Sequence, residues 1–308
     1  MAKKVKDPGF GYDSFKNAKK LINDDGTSNV IHLNRRTGIY DMYSYLINVP
    51  WWKFFLFVVL IYTLINVLFG LIYFFIGIEQ IVPSTGNVWE DLFNGFFFSA
   101  QTITTVGYGV LSPEGFAANM VASFQAMLGW IGFSFVTGLL YGRFSKPRAV
   151  IKFSKHLIVR DFKKGRAIMF RLMNSRKNIM IEPRITVTLA ITEQDKTSKE
   201  YHRKFYQLKL EREKIMYLPT MWTVVHELDE ESPLSKYSNE ELRDLDAEMY
   251  ILLQYHDEAF AQRLFKIYSY KLTKLKIDKK FMRSFQFDEE GNTLLDHDKL
   301  DLLEEHDR

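Results

Sequence analysis

Five consecutive residues, Thr105-Val106-Gly107-Tyr108-Gly109, carry the most chemically specific pattern in the chain. Glycine at every second position admits backbone dihedrals that a Cβ forbids, so successive carbonyl oxygens can be turned to one side. A row of such oxygens can replace the water around a bare monovalent cation, and the Thr105 hydroxyl adds one more oxygen at the inner end. Val106 and Tyr108 would then point away and pack as a wall. Other site chemistries are missing. Cysteine is absent, which excludes disulfides, thiolate catalysis and Cys-ligated zinc. No H-E-x-x-H, G-x-S-x-G or P-loop occurs, so a membrane-anchored enzyme has no visible centre. The histidines are scattered, and His202, His226 and His256 read as surface or packing residues.

A row of carbonyls needs elements that hold irregular backbone away from competing water. Residues 54–142 contain no Lys or Arg and only four acids, Glu79, Glu90, Asp91 and Glu114. Within them, residues 54–78 and 116–142 are apolar enough to cross a bilayer; twenty-five residues rise about 37 Å against a hydrocarbon core of about 30 Å. The second span is rich in small residues and faces other helices, while the first faces lipid. Between them, residues 89–104 form an apolar segment too short to cross, with acids in its opening turn as a helix start prefers. It must enter and return, and its C-terminal dipole end favours a cation beyond it. Irregular backbone at membrane depth is tolerated only where protein covers it or where it lines an aqueous path.

Ahead of the first span, residues 41–47 read as a short amphipathic helix capped by Asp41 and ended by Pro50. Trp51, Trp52 and Lys53 make an interfacial anchor. Basic residues crowd the segments before residue 54 and after residue 142, and none lies between. The positive-inside rule therefore puts both termini in the cytoplasm. The net charge of +4 is too small to argue for nucleic acid. After Pro147, short runs at 150–153, 156–159, 167–172, 185–191, 221–225 and 249–253, punctuated by turn residues, predict an antiparallel β-sandwich. Residues 288–308 read as a solvated acidic tail.

Thr105 to Gly109 reproduces the filter sequence shared by potassium channels, and over nearly its whole length the chain resembles the inward-rectifier potassium channels, most closely their prokaryotic members. Asn29-Val30 with Asp41, Tyr43, Leu46 and Pro50-Trp51 is similar to the family's N-terminal segment and slide helix. Phe124-Gln125, Gly129 and Gly138, followed by Arg143, Lys146, Pro147 and Arg148, matches the inner helix and its basic exit. Residues 222–234 and Tyr268-Ser269-Tyr270 resemble cytoplasmic strands and a Ser-Pro-Leu loop.

The resemblance implies four regions. These are an N-terminal cytoplasmic segment (1–40), an interfacial slide helix (41–50), a two-helix transmembrane pore domain with a re-entrant pore helix (51–146), and a cytoplasmic all-β immunoglobulin-like sandwich (147–308). It implies a homotetramer in the cell membrane, the simplest closed assembly around one pore. Potassium is the transported ion, held at Thr105, Val106, Gly107 and Tyr108, with no organic cofactor. Pore and gate positions are Gly129, Phe133, Gly138 and Tyr141. Lys53, Arg143, Lys146 and Arg148 should meet anionic phospholipid. Phe133 stands where strong rectifiers carry an acid, so block by polyamines or Mg2+ should be weak, with Ba2+ as a further pore blocker. Gln101 stands where a glutamate commonly backs the filter, leaving neutral hydrogen bonds to hold that wall. Another two-transmembrane potassium channel, gated by a nucleotide-fold domain, would need a G-x-G-x-x-G turn after residue 143, which is absent. A structural tether whose sandwich binds a protein partner would show no flux.

Overall fold

The computed structural model describes residues 4–15, 19–23, 26–35, 38–146, 149–195 and 199–305. The chain divides into two compact units, Asn34–Lys146 and Met1–Leu33 with Pro147–Arg308.

The first unit is helical: α1 Ile39–Asn48, α2 Trp51–Gly77, α3 Val88–Ile103 and α4 Gly115–Ser145. Helices α2 and α4 are long and apolar enough to cross a membrane. Helix α1 begins two residues earlier than expected. Gly38 is its cap, and Asp41 sits inside the first turn, accepting from Gly38 N at 3.0 Å. Pro50 ends the link to α2, whose first turn absorbs the aromatic anchor Trp51-Trp52-Lys53. Helix α3 has 16 residues, about 24 Å, too short to cross. It crosses α2 backbone to backbone: a Cβ on Gly95 would lie 2.7 Å from the Gly70 carbonyl oxygen.

The second unit is a sandwich of two sheets. One runs, in spatial order, Lys4–Val5, Tyr201–Leu208, Met180–Gln194, Ala247–Asp257 and Gln262–Lys271. The other runs Leu275–Ile277, Leu157–Phe162, Gly165–Asn174 and Ile151–Phe153, with Met221–Glu227 also paired to Gly165–Asn174. Alternation fills the core between them: Ile185, Val187, Leu189 and Ile191 meet Val159, Ile168, Phe170 and Leu172. The sandwich is not purely antiparallel, because Leu275–Ile277 runs parallel to Leu157–Val159. Tyr201–Leu208 does not read as a strand from sequence because His202-Arg203-Lys204 is a polar run that breaks the apolar alternation ahead of the buried Phe205. The N-terminal segment adds a strand to the first sheet and covers part of its outer face, with Phe10 stacked on Tyr250 at 4.2 Å.

The acidic end is not a solvated tail. Thr293–Leu295 pairs with Phe285–Phe287, Leu303–Glu305 pairs with Lys279–Phe281, and Leu300 is buried between them in sequence. Asp296 caps a turn, and Asp301 accepts from Lys155 N at 2.6 Å, so two of the acids are structural.

Candidate functional site

Helix α3 is built to end just before the five-residue motif. Asn87 caps it, accepting from Trp89 N at 3.0 Å, and Asp91 accepts from Ser84 Oγ at 2.6 Å and Thr85 N at 3.0 Å. At the far end Thr104 Oγ1 donates to the Ala100 carbonyl at 2.6 Å, while Val106 N reaches back to the Gln101 carbonyl at 3.0 Å. The chain then leaves the helix with its negative dipole end beside it.

Beyond that point the backbone alternates. Thr105, Gly107 and Gly109 have φ of +59°, +54° and +85°. In an ordinary strand successive residues face opposite ways; left-handed dihedrals at every second residue undo that alternation and let neighbouring carbonyls share a side. A Cβ at Gly107 would meet nothing within 4 Å, so the demand for glycine comes from handedness, not space. Thr105 was assigned only a hydroxyl from its sequence. It also carries a positive φ that is unfavourable for a β-branched residue, the kind of strain that persists at functional sites. Val106 and Tyr108 are exposed in the single chain; the wall they were expected to pack is not supplied by this chain's own residues.

The four inner-helix positions divide. Gly129 lies directly against the Ile103 carbonyl, so close that a Cβ would collide with it. It therefore serves contact between α4 and the end of α3. Gly138 has open space around it. Phe133 and Tyr141 are 76% and 74% exposed and leave α4 on surface that this unit does not cover.

The basic cluster also divides. Arg143 was expected to face lipid, yet it is buried, 9% exposed. Its guanidinium donates to the Leu46 carbonyl and, at 2.7 Å, to the Val49 carbonyl, and it stacks on Trp51 and Phe54 at 4.4 and 4.6 Å. The reason is elementary: the last carbonyls of α1 lack helical partners, and a cation suits a helix C-terminus. Lys53 and Lys146 remain exposed, Lys53 over the Trp52 ring and Lys146 donating to Asn48 Oδ1 at 2.5 Å. Arg148 lies outside the described residues. Gln101 departs from expectation as well, since its buried Oε1 has no hydrogen-bond partner among the described residues.

Comparison with known proteins adds the following. Residues 151–306 match the family model described as inward rectifier potassium channel C-terminal domain, and residues 55–146 match the one described as ion channel. The chain is 32% identical to the inward rectifier potassium channel Kirbac3.1 of Paramagnetospirillum magnetotacticum, over 90% of this chain and 93% of that protein. It is 28% identical to the human G protein-activated inward rectifier potassium channel 3 over 77% of this chain, and spans 65% of that relative's length. A solved alkylpurine DNA glycosylase of Pseudomonas fluorescens aligns at 10% identity with a TM-score of 0.21, covering 62% of this chain and 48% of its own, a likeness too slight to carry an argument.

Proposed function

Because the chain belongs to the inward-rectifier potassium channel family, we propose that four copies close a potassium-conducting pore whose filter is Thr105 to Gly109. One observation carries this reading: a short helix between two span-length helices delivers an irregular segment with positive φ at residues 105, 107 and 109. The exposure of Val106, Tyr108, Phe133 and Tyr141 in the single chain supports assembly, since apolar surface of this kind is otherwise covered by partner chains. Ions about 7 Å apart in such a row repel by roughly 2–3 kcal/mol at an effective dielectric near 20, which offsets tight carbonyl binding and lets them leave in file. The protein lies in the cell membrane with both termini cytoplasmic, as the distribution of Lys and Arg supports. Rectification by internal polyamines or Mg2+ is weak, because Phe133 brings no charge to the cavity. Anionic phospholipid modulates opening through Lys53 and Lys146.

The test is potassium flux from liposomes, with Ba2+ as blocker, for parent and Gly107→Ala tetramers. Alanine at position 107 must adopt a left-handed dihedral, at a cost of about 1 kcal/mol in each of the copies. The parent passes potassium over sodium, and the variant loses that preference. A Gly107→Ala tetramer with parental selectivity would exclude the filter assignment.

A further inference from the structure

Four polar side chains that are absent from the filter form one fully buried chain across three helices. Tyr73 on α2 donates to Gln125 Oε1 on α4 at 2.7 Å. Gln125 Nε2 sends one hydrogen to the Ser99 carbonyl on α3 at 3.0 Å and the other to Ser99 Oγ at 2.7 Å. The Ser99 hydroxyl passes its own hydrogen to Asn66 Oδ1 on α2 at 2.7 Å, and Asn66 Nδ2 donates to the Tyr62 carbonyl at 2.8 Å. Each of the four residues is 0% exposed.

The directions are forced. The Ser99 carbonyl can only accept, so the Gln125 amide must present nitrogen to it, and its oxygen must then face the Tyr73 hydroxyl. Rotating the amide would oppose two acceptors at the Ser99 carbonyl and leave the tyrosine O–H hydrogen without its acceptor, a costly outcome for buried polar groups. Gln125 is therefore locked in one orientation from both ends.

The grip falls on the last turns of the pore helix. Gln125 holds Ser99, and one turn further along both helices Gly129 abuts the Ile103 carbonyl. The two contacts advance by four residues on each helix, so α3 and α4 run side by side in the same direction over this stretch. Ile103, the last residue of α3, lies about 6 Å along the axis from Ser99, and Thr105 follows two residues later.

We propose that Gln125 is a positioning residue for ion selectivity, setting the axial register of α3 through the Ser99 carbonyl and hence the level of the carbonyls that follow Thr105. The proposal rests on the filter reading of residues 105–109, and the Gly107→Ala tetramer is included to keep the two separable.

The experiment measures the potassium-to-sodium flux ratio of full-length tetramers in liposomes together with their melting in detergent. Gln125→Leu lowers the ratio by about tenfold, the factor equivalent to losing one buried hydrogen bond. Tyr73→Phe, which frees one end of the amide, lowers it by about twofold to threefold. Asn66→Leu removes the outer branch but leaves the three Gln125 bonds in place; it lowers melting and keeps the parental ratio. A parental ratio in Gln125→Leu and Tyr73→Phe overturns the proposal, and so does an equal loss in Asn66→Leu, which would mean the chain only packs the unit. If Gln125→Leu fails to form tetramers, the contrast between Tyr73→Phe and Asn66→Leu decides. If Gly107→Ala keeps its selectivity, the filter reading falls; if it alone loses selectivity, only the role of Gln125 does.

Discussion

A single methyl group distinguishes two glycines of α4. At position 129 it would collide with the Ile103 carbonyl, a backbone atom that cannot swing aside, whereas at position 138 it would meet nothing within 4 Å. Overpacking of a closed contact costs about 1–3 kcal/mol, while alanine for glycine in an open helical position gains about 0.5–1 kcal/mol of propensity. Gly129→Ala should therefore lower the melting temperature of the tetramer well below that of Gly138→Ala, and melting curves of the two in one detergent check it; equal curves would remove the close contact from the account. At this scale the left-handed dihedrals of Gly107 and Gly109 were legible, because these residues lack a Cβ, whereas that of Thr105 was not. The closeness of Gly129 to Ile103 was not, since a small residue in an apolar span reads the same whether it faces a carbonyl or lipid. Nor was the inward turn of Arg143, because sequence shows a cation near a membrane edge and not the bare carbonyls of Leu46 and Val49 that draw it in.

Two elements respond to charge in ways that can be measured. The end of α4 is clamped to α1 by Arg143, leaving Lys53 and Lys146 as the exposed cations of the helical unit nearest that junction. Each exposed cation adds about 1 kcal/mol of attraction to an anionic leaflet. Neutralising both, as Lys53→Gln with Lys146→Gln, should shift the response of flux to added anionic phospholipid and leave selectivity intact; superimposable titration curves would exclude these two residues. The N-terminal segment responds to pH. Ser269 Oγ lies 3.1 Å from the Ile22 carbonyl and 2.6 Å from Glu248 Oε1, and it has one hydrogen to give. Burial raises the Glu248 carboxyl above its ordinary value of 4.5, opposed by hydrogen bonds from Ser269 and Tyr250 and by Lys20 and Lys271. A protonated Glu248 donates to Ser269, which then donates to Ile22, while an ionised one draws the hydroxyl away. A carboxyl with a raised folded pKa contributes most below its unfolded value, and that contribution is lost as pH rises through the folded one. Amide exchange of residues 20–23 should thus quicken as pH climbs from about 4.5 upward after correction for intrinsic rates, and Glu248→Gln should flatten the profile. The strands behind this latch were only partly legible: 185–191 alternates and 249–253 is a continuous apolar run, but the docking of the segment on the sheet depends on Phe10 and the pair Leu21-Ile22, a few apolar residues in a polar stretch.

Over the whole molecule, the chain joins a helical unit whose residues 54–142 carry no Lys or Arg to a densely charged β unit, and that β unit folds the acids of residues 288–305 that sequence alone consigned to a tail. Leu294, Leu300 and Leu303 were the signal there, spaced too irregularly among acids to read as strands. Phe133 is exposed on α4, eight residues and about 12 Å before Tyr141 along the axis. A tetramer with phenylalanine there presents a neutral apolar ring. An aspartate in each chain would present up to four negative charges, and one charge pair at about 6 Å is worth about 3 kcal/mol at an effective dielectric near 20 before desolvation is counted. Phe133→Asp should strengthen spermine block at least about tenfold in voltage clamp, the shift expected if only half of one such pair survives desolvation. Phe133→Asn removes the ring without adding charge and should leave block near the parental level. An unchanged block in Phe133→Asp, or an equal gain in Phe133→Asn, would place residue 133 away from the conduction path.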